Sequence, residues 1–184
     1  LIGGLLMTHA DDDGLVLPPK LAPAHIVIMP ITFKADDPDA VLDWCRSLAE
    51  ELRQLTYGGR MIEVELDTRD IRGGEKTWSW VKKGVPIRLE VGPRDMAEDS
   101  VFMARRDRPA KEKQGVPRAR FLEEVVSMLE EMQQGLYDRA LAHREEHTRE
   151  IDTREEFTEW FTAPEGDPTP IHAGFAMTHF CGDR

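Results

Sequence analysis

Cysteine is nearly absent from this chain, with Cys45 and Cys181 its only two. Two thiols cannot build a disulfide framework. That excludes the small disulfide-rich secreted classes and points to a reducing, cytoplasmic location. Long apolar runs are missing too. None approaches the ~20 residues needed to span a bilayer, so no membrane partner is expected. The opening LIGGLLM is short, has no basic residue before it, and starts with Leu rather than Met. It reads as part of a longer protein and not as a targeting signal. There is no phosphate-binding loop. Gly58-Gly59 and Gly73-Gly74 are isolated pairs without dinucleotide spacing and read as turns. No histidine stands with serine or cysteine in a nucleophile pattern, and there is no internal repeat.

What is present suits one domain, or one plus a fragment of another, since the chain has 184 residues. At 40% hydrophobic and 32% charged it is globular and not disordered. A net charge of −11 argues against general nucleic-acid binding. The charge is uneven, however: residues 69–120 hold 14 Lys/Arg against 8 Asp/Glu. A basic middle between acidic flanks suits an anionic partner meeting one patch.

Residues 10–23 are rich in turn residues and proline, as in a connector. HIVIMPI, 25–31, is a continuous apolar run, as in a strand buried on both faces. A helix follows, with Asp37 as N-cap and Pro38 at its first position. Its stripe of Val41, Trp44, Cys45, Leu48, Leu52 and Leu55 recurs at steps of three and four. Strands are expected at 61–67, 85–91 and 101–107, with a weak edge strand or turn at 111–117. A short helix is expected at 74–84, and a long one from 118 that Gly135 could bend. Thr153-Arg154-Glu155-Glu156 opens a last helix through Trp160, and 174–181 is a final strand candidate. The order strand–helix–strand–helix–strand implies an α/β fold. The sheet is expected to be mixed and mostly parallel, five-stranded, with helices on both faces and a helical and partly α/β extension after it.

GVPIRLEVGPRD, 84–95, alternates cleanly. Val85, Ile87, Leu89 and Val91 take one face, and Arg88 and Glu90 the other, with Arg94 in the turn beyond. An arginine held on a strand can read guanine edges bidentately. The basic set also includes Lys76, Lys82, Lys83, Arg105, Arg106, Arg108, Lys111 and Lys113. Trp78 and Trp80, two apart, cannot share a helix face: one is expected in the core, the other part-exposed as a stacking surface for unpaired bases. Asp11-Asp12-Asp13 reads as a solvated turn, since calcium-loop spacing is absent. His143 and His147 at i, i+4 read as a solvated helix face, and Cys45 as packing.

Several stretches together resemble the class II prolyl-tRNA synthetases. LIGGLLMTHADDDGLVLPPKLAP is similar to the end of that family's catalytic domain, after its third class II motif. GEKTWSWVKKGVPIRLEVGPRDM is similar to its anticodon-binding domain. HREEHTREIDTREEF and GFAMTHFCGD are similar to the approach to its C-terminal zinc-associated domain. The resemblance implies three parts: 1–22, the catalytic-domain tail; 23–120, the anticodon-binding domain; and 121–184, the long helix and a truncated zinc-associated domain. It implies recognition of the anticodon loop of proline tRNA, serving ATP- and magnesium-dependent prolyl-tRNA formation by a longer, homodimeric ligase. By the same resemblance these 184 residues would be inactive alone and would bind neither ATP nor magnesium. The anticodon guanines would be read by Arg88, by Arg94, and by Lys111 or, as the alternative, Lys113. Lys76, Lys83 and Trp78 complete the expected contact set. The family's acid in its WELKG segment is replaced by Val81, so Glu75 or Glu90 is expected to take over its contact. Cys181 matches the first zinc ligand, and zinc is expected only with the complete C-terminal domain. A stand-alone accessory or protein-interaction domain of the same fold is the alternative reading.

Overall fold

The computed structural model describes residues 1–33, 35–109, 112–163, 166, 174–179 and 182. The chain forms two compact units, Leu1–Leu136 and Tyr137–Arg184. The first opens with α1 (Ile2–His9) and a hairpin, β1 (Ala10–Asp11) and β2 (Gly14–Leu15). Then come β3 (Ile26–Pro30), α2 (Pro38–Arg53), β4 (Thr56–Tyr57), β5 (Arg60–Met61), β6 (Val64–Leu66), α3 (Gly73–Lys83) and β7 (Ile87–Val91). The short α4 (Pro93–Ala97), β8 (Ser100–Arg105), β9 (Lys113–Pro117) and α5 (Arg118–Glu146) follow. The second unit adds β10 (Thr148–Glu150), α6 (Arg154–Phe161) and β11 (Phe175–Met177), with β10 and β11 paired in parallel. Among the described residues, no helix is long and apolar enough to cross a membrane.

The helix boundaries follow from their caps. The Asp37 carboxylate accepts from Ala40 N–H at 3.0 Å, and Pro38 opens α2. Gly84 closes α3 with φ of +73°, a left-handed value that glycine adopts without strain. The Thr153 hydroxyl accepts from Glu156 N–H at 3.2 Å at the start of α6. Gly135 does not break α5, and a Cβ there would meet nothing within 4 Å. The strand expected at 61–67 is split. Gly58 and Gly59, with φ of +59° and +82°, form the two-residue turn of the β4–β5 hairpin, as a type I′ turn requires, and β6 alone joins the main sheet.

That sheet has the order β6-β3-β7-β8-β9. The β3 pairings with β6 and β7 are parallel, and β7–β8 and β8–β9 are antiparallel, so the sheet is mixed, with four of its five strands running the same way and β8 alone reversed. On one face, Ile26, Ile28, Ile87 and Leu89 pack with Val41, Cys45, Leu48 and Leu52 of α2 and Phe121, Val125, Leu129 and Met132 of α5. Those α5 residues extend the first unit past the boundary read from the sequence at 120. On the other face, Val27, Met29 and Val85 meet Trp80 of α3.

The β1–β2 hairpin is clasped to the C-terminal end of α3. A Cβ at Gly14, whose φ is +135°, would fall 2.7 Å from the Lys82 Cα. A Cβ at Gly84 would fall 2.7 Å from the Leu15 carbonyl oxygen. Leu17 N–H donates to Gly84 O at 3.2 Å. Arg106 Nε donates to Val81 O at 3.2 Å, and its Nη1 donates to Asp11 Oδ2 at 2.8 Å. Asp11 is thus a structural ion-pair partner and not merely part of a solvated turn.

Candidate nucleic-acid interface

Parallel strands β6, β3 and β7 end at the same edge of the sheet. Beyond them lies a cleft of about 1130 Å³. Its walls are the loop after β3 (Ile31, Thr32, Phe33), the loop after β6 (Asp67 to Arg72), and one side of α3 (Lys76, Thr77, Trp78, Val81). Glu90 of β7 and Lys113 of β9 also line it. In open α/β sheets the carboxyl ends of parallel strands are the usual ligand position.

The wall between β6 and α3 is built on Asp67, whose side chain is 1% exposed. Its Oδ1 accepts from Arg69 Nε at 2.8 Å and Arg69 N–H at 3.2 Å. Its Oδ2 accepts from Arg69 Nη2 and from Trp80 Nε1, both at 2.7 Å. The Arg69 hydrogen bonds hold the Asp67 carboxyl well below the usual carboxylate range; burial opposes this, and the Trp80 hydrogen bond adds to it. Lys76 is 9% exposed and donates from Nζ to Asp67 O at 3.2 Å. Trp80 packs inward while Trp78 stays 45% exposed in the cleft wall, the division expected of two tryptophans two residues apart.

On the floor side, Glu90 Oε1 accepts from Lys113 Nζ at 2.6 Å and from Thr77 Oγ1 at 3.4 Å. Arg88 lies two residues deeper on the same face of β7. The expectation that it projects from an open polar face does not hold, because it is only 2% exposed. It pairs in register with Val27, which packs under Trp80, so α3 covers this face too. Val85, expected on the opposite face, packs with that same cluster. Arg88 Nε and Nη1 are fully buried and have no hydrogen-bond partner among the described residues. Burial pushes the guanidinium below its usual range, nearby Arg106 adds to this, and Glu90 opposes it.

The other expected contact residues are dispersed. Arg94 lies on α4 and not in a turn; its side chain is 87% exposed, and it bridges to Glu98 at 3.1 Å, outside the cleft lining. Lys83 is also outside the lining, with Nζ 4.2 Å from the Trp80 ring centroid. Lys111 and Cys181 lie outside the described residues; the alternative Lys113 is in the cleft wall. Much of the basic middle is engaged elsewhere. Arg105 pairs with Asp107 and Glu131, Arg108 with Glu131, and Arg118 with Glu51. Cys45 is fully buried, and burial pushes its thiol up to about 12. The His143 and His147 ring centroids lie 4.1 Å apart with the rings tilted by 38°, and among the described residues no three His, Cys, Asp or Glu are grouped to hold a metal ion.

Sequence reasoning missed Asp67, Arg69, Arg72 and Phe33 as cleft residues. The alternation of β6 could have flagged Asp67 as the first residue past a buried strand end.

Comparison with known proteins bears on the same region. The family described as Anticodon binding domain matches residues 25–128. The chain is 51% identical, over its whole length, to proline–tRNA ligase 2 of Anaeromyxobacter dehalogenans, and 46% identical to proline–tRNA ligase of Protochlamydia amoebophila. It spans 37% and 36% of those two relatives. The crystal structure of prolyl-tRNA synthetase from Cryptosporidium parvum, complexed with L-proline and AMP, superposes with a TM-score of 0.75 at 34% identity. That match covers 86% of this chain and 31% of the other. The chain therefore belongs to the anticodon-binding domain family, in the form found in proline–tRNA ligases.

Proposed function

We propose that the cleft binds the anticodon loop of proline tRNA, and that a longer ligase uses this binding to select tRNA for ATP-dependent prolyl-tRNA formation. The observation that carries this reading is the pairing of an exposed flat ring, Trp78, with the Glu90–Lys113 ion pair in one cleft. Stacking holds an unpaired base sequence-independently, while fixed donors and acceptors sort base edges. Arg88, outside the cleft lining and two residues deeper on β7, carries unmet N–H groups of the kind guanine O6 and N7 accept. Lys113 supplies the cation expected of Lys111 or Lys113. Arg94 and Lys83, outside the cleft, suit phosphates of the flanking loop. By this reading the longer protein is a cytoplasmic homodimer that uses ATP with magnesium. Zinc would be held only by the complete C-terminal domain, with Cys181 as one ligand.

Titration of the chain with the proline-tRNA anticodon stem-loop tests the reading. Affinity should fall steeply with salt. Replacing an anticodon guanine with adenine should weaken binding by roughly 10- to 100-fold. Equal affinity for the cognate and altered loops would overturn it.

A further inference from the structure

Next to the cleft lies a strip of bare sheet. On the α3 side of the sheet, Val27, Met29 and Val85 pack with Trp80, and Arg88 and Ala104 are buried. At Phe102 of β8 that cover ends. Phe102 pairs in register with Glu90 on one side and Gly115 on the other, so it shares the face of the cleft residues Glu90 and Lys113. It is itself outside the cleft lining, and 37% exposed. Lys113 Nζ lies 5.8 Å from its ring centroid, so a cation borders the ring. Gly115 leaves the opposite flank open. Its φ is outside the left-handed region, so the backbone does not demand glycine. A Cβ there would meet nothing within 4 Å among the described residues. Glycine in a strand packs nothing and costs backbone entropy. It is found in strands where a ligand comes close.

A flat exposed ring, an open flank and a bordering cation suit an unpaired nucleobase. A base stacks on an aromatic face whatever its identity, and a nearby lysine favours the phosphate that comes with it. We propose that Phe102 and Gly115 form a stacking shelf for one unpaired base of the tRNA loop other than the anticodon guanines. This rests on the anticodon-loop reading of the cleft, with which the shelf is continuous through Glu90 and Lys113.

The test is titration of wild type, Phe102→Ala and Gly115→Val with proline-tRNA anticodon stem-loops. In these loops each unpaired nucleotide other than the anticodon guanines is singly made abasic. One abasic position should weaken wild-type binding by about tenfold, the worth of one base–aromatic stack. Phe102→Ala should bind the intact loop about tenfold more weakly and lose nothing more at that position. Gly115→Val should bind the intact loop as weakly, while its urea midpoint holds or rises, because valine suits a strand better than glycine. A merely structural position would not part affinity from stability in this way. If either variant binds the intact loop as wild type does, or if no abasic position costs wild type affinity, the shelf is refuted. It is refuted as well if Phe102→Ala keeps the full abasic penalty. Wild-type indifference to a guanine-to-adenine change removes the anticodon reading and the shelf with it, whereas failure of the shelf alone leaves that discrimination intact. Should Phe102→Ala fail to fold, wild type decides: the Phe102 ring resonances should move upfield with the intact loop and stay in place with the abasic one. No movement with the intact loop overturns the proposal.

Discussion

Asp67 and Arg88 are both charged, both buried, and both near α3, yet their surroundings are opposite. Asp67 sits at a strand end where a loop arginine and an indole N–H converge on it, and each of its oxygens accepts. Arg88 sits mid-strand, with two buried donors unmet among the described residues. The first arrangement is what a structural anchor needs. The second costs stability, because a desolvated cation without acceptors is unfavourable. The contrast separates a residue that builds the cleft wall from one whose buried donors the described residues leave unmet.

Asp67→Ala should have the largest effect. It leaves the Trp80 N–H and the Arg69 guanidinium without their acceptor, and should cost about 2–4 kcal/mol in urea unfolding. A loss under about 0.5 kcal/mol would remove Asp67 as an anchor. A pH titration of stability sharpens the comparison with a third buried group. His25 is fully buried; its Nδ1 accepts from Glu63 N–H at 2.9 Å, and its Nε2 has no partner among the described residues. Burial, aided by Arg60 and opposed by Glu63, lowers its pKa from 6.5 to about 4. The unfolded chain therefore takes up the proton first as pH falls. Stability should be intact above pH 6.5 and decline toward pH 4, by roughly 2 kcal/mol between pH 7.5 and 5. His25→Gln should flatten that decline in unfolding midpoints. Asp67 acts in a lower window. Its stabilisation should be complete above its usual value near 3.8 and lost as pH falls below that.

Arg88→Met should move the other way, gaining about 1 kcal/mol of stability by removing an unpaired buried charge at similar volume. The same variant should bind the anticodon loop at least about tenfold more weakly. A variant that is less stable but binds equally would make Arg88 structural. The smallest effect belongs to Arg94→Ala, an exposed ion pair on a short helix, with stability within about 0.5 kcal/mol of wild type in the same unfolding assay.

The element order was legible because apolar spacing and caps are local. Asp37, Gly84 and Thr153 each mark a helix end through bonds within four residues. The alternation of 85–91 was legible as well, but the exposure inferred from it was wrong. In a sheet with helices on both faces, a polar strand position can lie under a helix, as Arg88 does. The Asp67–Trp80 bond joins residues thirteen apart, through a loop whose path the pattern does not give. Lys76 read as part of a surface patch because helix periodicity says nothing about which carbonyl waits beneath it. The basic middle misled for a similar reason: Arg105 and Arg108 meet an acid on α5 that lies more than twenty residues away.

The clasp of the β1–β2 hairpin on α3 makes that helix a lever. Eleven residues at 1.5 Å each give an arm of about 16 Å. The pivot is the glycine contact at Lys82–Gly84, and the far end carries Gly73 and Gly74 into the cleft. A tilt of about 4° at the pivot sweeps the far end through about 1 Å, enough to part a hydrogen bond. A single methyl at Gly14 or Gly84 would meet its neighbour at 2.7 Å, so the hairpin or the end of α3 would have to shift to admit it.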